Sequence, residues 1–120
     1  MARVYTLEEA RAELASLAPV LAELIAVRAD AAELGLAVQE GIPSRLGGLP
    51  ELKAAEARLD ELLSRLPREG MQIKGIAPLL LDFPAELDGV PVLLCWLEGE
   101  PELGWYHRAE VGFLGRRRLP

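Results

Sequence analysis

The sequence predicts an α+β fold, in which an antiparallel, coiled-coil-like two-helix hairpin packs with a small C-terminal antiparallel β-sheet. Three observations predict it. Leucines recur every seven residues in two early segments, and short apolar runs separated by glycine and proline follow them. A length of 120 residues with 51% apolar side chains suits one core. We therefore expect a single domain over 1–120, helical in 1–68 and β-rich in 69–120.

The first helix has a clear beginning. Thr6 and Glu9 have the spacing of a capping box, in which each side chain bonds the other residue's backbone N–H. Pro19 interrupts the helical pattern, so the segment is either one bent helix or two shorter ones, and we favour the bend. Two apolar rows follow the cap: Leu7, Leu14 and Leu21, then Ala10, Leu17, Leu24 and Ala31.

The second helix is expected to begin near Pro50, because proline suits the first helical turn. Glu61 and Arg65 have the i,i+4 spacing of a favourable ion pair. Pro67 and Gly70 are expected to end the helix. Its apolar rows are Leu52, Leu59 and Leu66, then Ala55 and Leu62.

Two such helices should pair antiparallel, and pairing leaves apolar flanks on both of them. Either the β-rich part or a second copy of the chain covers these flanks, and the two solutions are compatible. We therefore expect a homo-oligomer, most simply a dimer. The flanking residues are Val20, Ile25, Val27 and Leu63.

The C-terminal half reads as strands and turns. The run at 89–97 is apolar on both faces, which indicates burial on both sides, and Pro91 indicates a sheet edge or a strand end. A strand ending at Pro84 is expected before it. The predicted strands are 71–76, 79–83, 89–97 and 103–108.

The register of the last hairpin is left open by the sequence. A three-residue loop would place Cys95 opposite His107, whereas a two-residue loop would place Cys95 opposite Tyr106 and turn His107 to the other face.

One cysteine and one histidine, Cys95 and His107, are candidate metal ligands, with Asp82 or Glu100 as a further ligand. The competing interpretation is a buried apolar cysteine and an ordinary strand histidine. A Cys–His nucleophile would also need a thiolate stabiliser, which the sequence does not reveal, and an acid–base pair is an unspecific alternative.

The arginine run after Gly112 and the nearby aromatic residues indicate a second kind of site. Arginine binds carboxylates and phosphates well, so a small anionic ligand is expected unless the run is simply a solvated basic end. The candidate ligand-binding residues are Asp82, Glu100, Trp105, His107 and Arg116.

Composition narrows the function classes. A net charge of −6 disfavours nucleic-acid binding, and no run approaches the roughly 20 apolar residues of a membrane span. A single cysteine and the lack of a signal-peptide pattern predict a cytoplasmic protein. The absence of Asn and the scarcity of Gln fit either a thermophile or a GC-rich genome.

Several blocks resemble a bacterial family catalogued as domain of unknown function 2203. The resemblance runs over most of the chain and implies no activity, because that family has none established. The blocks that carry it begin with Tyr5-Thr-Leu-Glu-Glu-Ala and continue with Ile73-Lys-Gly, Leu81-Asp-Phe-Pro, Leu94-Cys-Trp-Leu-Glu-Gly-Glu, Trp105-Tyr-His and Gly112-Phe-Leu-Gly-Arg.

The function expected first is therefore a non-enzymatic module that self-associates or docks a partner through the helices. The alternative is a protein that binds a metal or a small ligand, or a hydrolase, with a polar site on the β-rich part. The pattern identifies no cofactor and does not decide whether the chain is an enzyme.

Overall fold

The computed structural model describes residues 3–66 and 70–120, and within these ranges the fold is α+β, as predicted. In this part of the chain no helix combines the length and the apolar character that a membrane crossing requires. The helices are α1 (Leu7–Ser16), α2 (Ala18–Glu40) and α3 (Leu49–Ser64); the strands are β1 (Gln72–Ile76), β2 (Leu79–Leu87), β3 (Val90–Leu97), β4 (Trp105–His107) and β5 (Arg117–Arg118), with a short 3-10 helix (Phe113–Gly115) before β5.

The backbone contacts divide the chain into two compact units. One unit contains residues 3–16 and 70–120, and the other contains residues 17–66. Helix α1 therefore groups with the sheet and not with α2, which the leucine pattern did not indicate. The boundary predicted between residues 68 and 69 lies outside the described residues, and the single domain stays a prediction.

Helix α1 begins at the predicted cap. The Glu9 side chain accepts a hydrogen bond from the Thr6 backbone N–H at 2.8 Å, and Thr6 Oγ1 accepts one from the Glu9 N–H at 3.0 Å. The expected continuous bent helix was wrong: α1 ends at Ser16, and α2 has Pro19 in its first turn. The reason is that proline has no backbone N–H. In the first turn of a helix the backbone N–H groups have no intrahelical partner, so proline costs no hydrogen bond there.

Helices α2 and α3 contact each other within their unit. Leu24 and Leu62 are completely buried, and Arg58 on α3 donates hydrogen bonds to both carboxylate oxygens of Glu23 on α2, at 2.6 and 2.7 Å. Helix α3 has its proline in the first turn, as predicted. The predicted ion pair between Glu61 and Arg65, the residue just after α3, forms at 2.9 Å. The predicted stop at residue 67 lies outside the described residues.

The sheet is antiparallel with strand order β1-β2-β3-β4-β5. Its central strand β3 is buried on both faces, as predicted, and Pro91 lies exposed near the beginning of that strand. The predicted stop at Pro84 was wrong, because β2 continues to Leu87. The pairing of β2 with β1 ends at Asp82, so β1 does not reach Pro84. The missing N–H of Pro84 therefore breaks no hydrogen bond between these two strands. The Pro84 carbonyl there accepts a hydrogen bond from the Tyr5 N–H at 2.6 Å.

Both predicted registers of the last hairpin were wrong. Cys95 lies opposite Trp105, and His107 lies opposite Leu93, because the connection is longer than a tight turn. Positions 105 and 107 share a face, so Cys95 and His107 still point to the same side of the sheet. We call this side the Asp82 face, and the other side the Tyr106 face. The pairing also includes β5, which the sequence did not predict.

Candidate metal centre on the sheet

Three side chains with metal-ligating atoms meet on the Asp82 face. Asp82 and Cys95 are direct cross-strand partners, and His107 extends from the next strand. Asp82 is 1% exposed, Cys95 is 0% exposed and His107 is 3% exposed. One ligand atom from each residue lies within 4.8 Å of the other two. The structure thus joins the two predicted metal ligands to Asp82, one of the two carboxylates suggested as their partner.

The ring of His107 is held in one orientation. Its Nδ1 lies 2.9 Å from the backbone carbonyl oxygen of Arg108. A carbonyl oxygen only accepts hydrogen bonds, so Nδ1 carries a proton and donates it. This leaves Nε2, which lies 3.3 Å from Oδ2 of Asp82, as the metal-binding nitrogen. Metal-ligating histidines are commonly oriented in this way by a backbone carbonyl.

The spacing of the two ligand atoms fits a tetrahedral ion. A charge-assisted hydrogen bond spans about 2.7–2.9 Å, which is shorter than the 3.3 Å between Nε2 of His107 and Oδ2 of Asp82. Two atoms that bind zinc at about 2.0 Å with a tetrahedral angle lie about 3.3 Å apart. The same geometry places a zinc-bound sulfur about 3.6 Å from each of these two atoms, and the Cys95 sulfur lies within 4.8 Å of both.

Lys74 supplies a positive charge at the edge of this cluster. The register of β1 against β2 shifts between Ile73 and Gly75, so Lys74 has no direct partner on β2. Bulges of this kind redirect side chains next to functional sites. The Lys74 ammonium lies 3.2 Å from Oδ2 of Asp82. The other oxygen of that carboxylate, Oδ1, is buried and has no hydrogen-bond partner among the described residues.

The environment keeps the Cys95 thiol protonated. Burial raises the pKa of Cys95 to about 12, and the charge and hydrogen bond of the Asp82 carboxylate raise it further, against a smaller opposing effect of Arg116. A buried thiol with a high pKa is unreactive as a free nucleophile. The alternative of a Cys–His nucleophile therefore has no support here, whereas a metal ion would displace the thiol proton.

The remaining predicted ligand residues form a second cluster beside the first. Arg116 Nη2 lies 2.6 and 2.8 Å from the two carboxylate oxygens of Glu100 and 3.2 Å from the Cys95 carbonyl oxygen. Its guanidinium carbon lies 4.8 Å from the centre of the Trp105 ring and equally far from that of Phe113. The charge of Arg116 is already balanced by Glu100, so this arginine serves to attach the C-terminal segment to β3.

Sequence reasoning did not assign Lys74 to the site. The available signals were its place in the Ile73-Lys-Gly block, which carries the family resemblance, and an alternating strand segment. Neither reveals the bulge on which its position depends. Sequence reasoning grouped Tyr106 with the nearby aromatic residues and Arg117 with the arginine run, but it did not predict that the two residues pair across β4 and β5. A two-residue strand in an arginine run carries no periodic signal.

The comparison with protein families decides the relationship of the chain. A family model described as "Uncharacterized conserved protein (DUF2203)" matches residues 3–119. The chain belongs to the DUF2203 family. The DUF2203 match confirms the resemblance found in the sequence and includes every residue of both clusters. No curated protein and no solved structure matches the chain.

Proposed function

We propose that this DUF2203 protein binds a divalent transition-metal ion, with Zn²⁺ as the first candidate, through Asp82, Cys95 and His107. The observation that carries the proposal is the position of His107 Nε2, which faces a buried carboxylate oxygen at 3.3 Å while Nδ1 is committed to a backbone carbonyl. Because Nδ1 is committed, Nε2 is the ring nitrogen that can share a cation with the Asp82 carboxylate. Carboxylate, thiolate and imidazole are all common zinc ligands.

The charges around Asp82 are compatible with a bound cation. A buried carboxylate needs a compensating charge, and among the described residues the partly exposed Lys74 ammonium, the His107 imidazole and the Cys95 thiol lie beside it. In such a centre the Asp82 carboxylate and the Cys95 thiolate would balance the two charges of Zn²⁺, and the partly exposed Lys74 ammonium would remain as one positive charge at the edge of the site. The unpartnered Oδ1 of Asp82 is a further acceptor that an ion or its bound water would satisfy.

Three protein ligands leave one position of a tetrahedral ion open, as in catalytic zinc sites. A water molecule there would have a pKa of about 7 and would be a nucleophile at neutral pH. This open position is the basis for keeping a hydrolase as the enzymatic form of the proposal. Its test is release of nitrophenol from nitrophenyl esters and phosphates by the zinc-loaded protein, with Cys95→Ser as the control.

Cobalt substitution tests metal binding directly. Co²⁺ added to the metal-free protein should produce a thiolate-to-cobalt charge-transfer band with a stoichiometry of one, and Zn²⁺ should abolish it. Cys95→Ser should lose the band. Asp88→Asn, which changes an exposed carboxylate outside the cluster, is the matched control and should keep it. A band that is absent from the wild type, or that survives in Cys95→Ser, contradicts the proposal.

Self-association is the second proposed function, and one observation favours it. In the helical unit, a groove of about 420 Å³ lies at the end of α2 and in the following loop. Glu33 and Arg45 both line the groove. A two-fold dimer formed through this groove allows each copy's acid to pair with the other copy's arginine. The exposed apolar residues at this end are Leu36, Val38, Ile42, Leu46 and Leu49.

The finer expectation of an antiparallel, coiled-coil-like hairpin belongs to this proposal. Support comes from the paired Glu23 and Arg58 and from the buried leucines of α2 and α3. Light scattering after size-exclusion chromatography should give a dimer for the wild type. Leu46→Glu should give a monomer, and Leu114→Glu, at a leucine that is fully exposed in the other unit, should remain a dimer. A monomeric wild type would contradict the proposal.

A further inference from the structure

A cavity of about 540 Å³ opens on the sheet unit. Its volume lies within the range of roughly 300–1,000 Å³ that is typical of small-molecule sites. The cavity has a wall of aliphatic side chains that are partly open to solvent, with Val90 45% and Val111 54% exposed. The aliphatic residues of this wall are Leu87, Val90, Val92 and Val111.

Two polar side chains stand next to each other in the lining. Tyr106 and Arg117 are direct cross-strand partners, so both side chains leave the sheet on the Tyr106 face. The hydroxyl of the tyrosine and the guanidinium of the arginine are both hydrogen-bond donors. An apolar wall with a few convergent polar groups is the usual composition of a ligand pocket.

The three consecutive arginines near the C-terminus differ in their partners. Arg116 is bound to a glutamate, and Arg118 stacks on Trp105 with its guanidinium carbon 5.2 Å from the ring centre. Arg117 lines the cavity, and its guanidinium has no ion pair or hydrogen bond with any of the residues that the structure describes. Asp88 also lines the cavity but makes no ion pair with Arg117 in that same part of the chain. Arg117 is therefore available to a ligand.

We propose that this cavity binds a small amphipathic carboxylate. The aliphatic wall holds the apolar body, Arg117 binds the carboxylate through two parallel N–H donors, and the Tyr106 hydroxyl donates a third hydrogen bond. The Tyr106 and Arg117 side chains leave the sheet on the opposite face from the side chains of the proposed metal centre. His107 also lines the cavity, so binding is measured on the metal-free protein.

Isothermal titration of the full chain with sodium octanoate tests this site, with chelator present so that metal binding does not contribute. Octanoate should bind with a stoichiometry of one. Two probes test the two halves of the site: acetate lacks the apolar body, and 1-octanol lacks the charge. Both should bind at least about ten-fold more weakly than octanoate, since each loses one of the two interactions.

A pair of variants assigns the charge. Arg117→Gln should weaken octanoate binding by about ten-fold or more, whereas Arg118→Gln, which removes the same charge one residue away, should bind as the wild type does. Circular dichroism of both variants checks that the fold is retained. The proposal is overturned if octanoate does not bind, if 1-octanol binds as tightly, or if the two variants lose affinity equally.

Discussion

The affinity of the proposed centre for zinc should depend steeply on pH, and the slope can be calculated from the environment of Cys95. Burial raises the pKa of its thiol to about 12. Near pH 7, about one thiol in 100,000 is then ionised, and each pH unit raises that fraction ten-fold. Because zinc binds the thiolate, the apparent dissociation constant should fall about ten-fold per pH unit, which is about 1.4 kcal/mol of binding free energy.

A competition titration against a chromophoric chelator measures this slope between about pH 7 and about pH 8.5, where the expected change in affinity is about thirty-fold after correction for the chelator's own protonation. Cys95→Ser has no thiol to ionise, so its weaker binding should lose the part of the slope that comes from the thiol. A wild-type affinity that does not change with pH, or an equal slope in Cys95→Ser, would refute the assignment of the sulfur as a ligand.

Three further predictions concern stability, each measured by denaturant unfolding. Leu24→Ala should cost about 2–5 kcal/mol, because a completely buried leucine leaves a cavity; the exposed Leu114→Ala is its control, and an equal cost for both would contradict the assigned core. Thr6→Ala should cost about 1 kcal/mol by removing the helix cap, and no loss would mean that the cap does not contribute. Burial and Glu13 raise the pKa of Tyr5 to about 12 from an ordinary value of 10.0. The protonated hydroxyl therefore contributes fully to the free energy of unfolding below pH 10, and this contribution is lost as the pH rises through 12. Tyr5→Phe should lose less stability than the wild type between pH 10 and pH 12. If the unfolding free energies of the two proteins fall equally with pH, the prediction is wrong.

Local signals predicted where two of the three helices begin, at the Thr6 cap and near Pro50, but not how many helices there are. The capping box at Thr6 involves residues within one turn, and the heptad leucines report burial without knowledge of the partner surface. The break between α1 and α2 was not predicted, because Pro19 is compatible with both a bend and a new first turn. Whether the helix bends or breaks at Pro19 depends on α1 grouping with the sheet, and that contact joins residues far apart in the sequence.

The candidate site was predicted in its residue types but not in its geometry. The sequence left open whether Cys95 and His107 share a face. They do, because Cys95 pairs with Trp105, which lies two residues before His107 on the same strand. Separating the predicted ligand residues into two clusters required knowing that Glu100 is the partner of Arg116. That pairing crosses 16 residues and a short strand without periodic signal.

The most direct test of the central claim is X-ray absorption at the zinc edge of the zinc-loaded protein. We predict one sulfur neighbour at about 2.3 Å together with nitrogen and oxygen neighbours at about 2.0 Å. A zinc shell that contains only nitrogen and oxygen would place the ion away from Cys95 and would contradict the proposed centre.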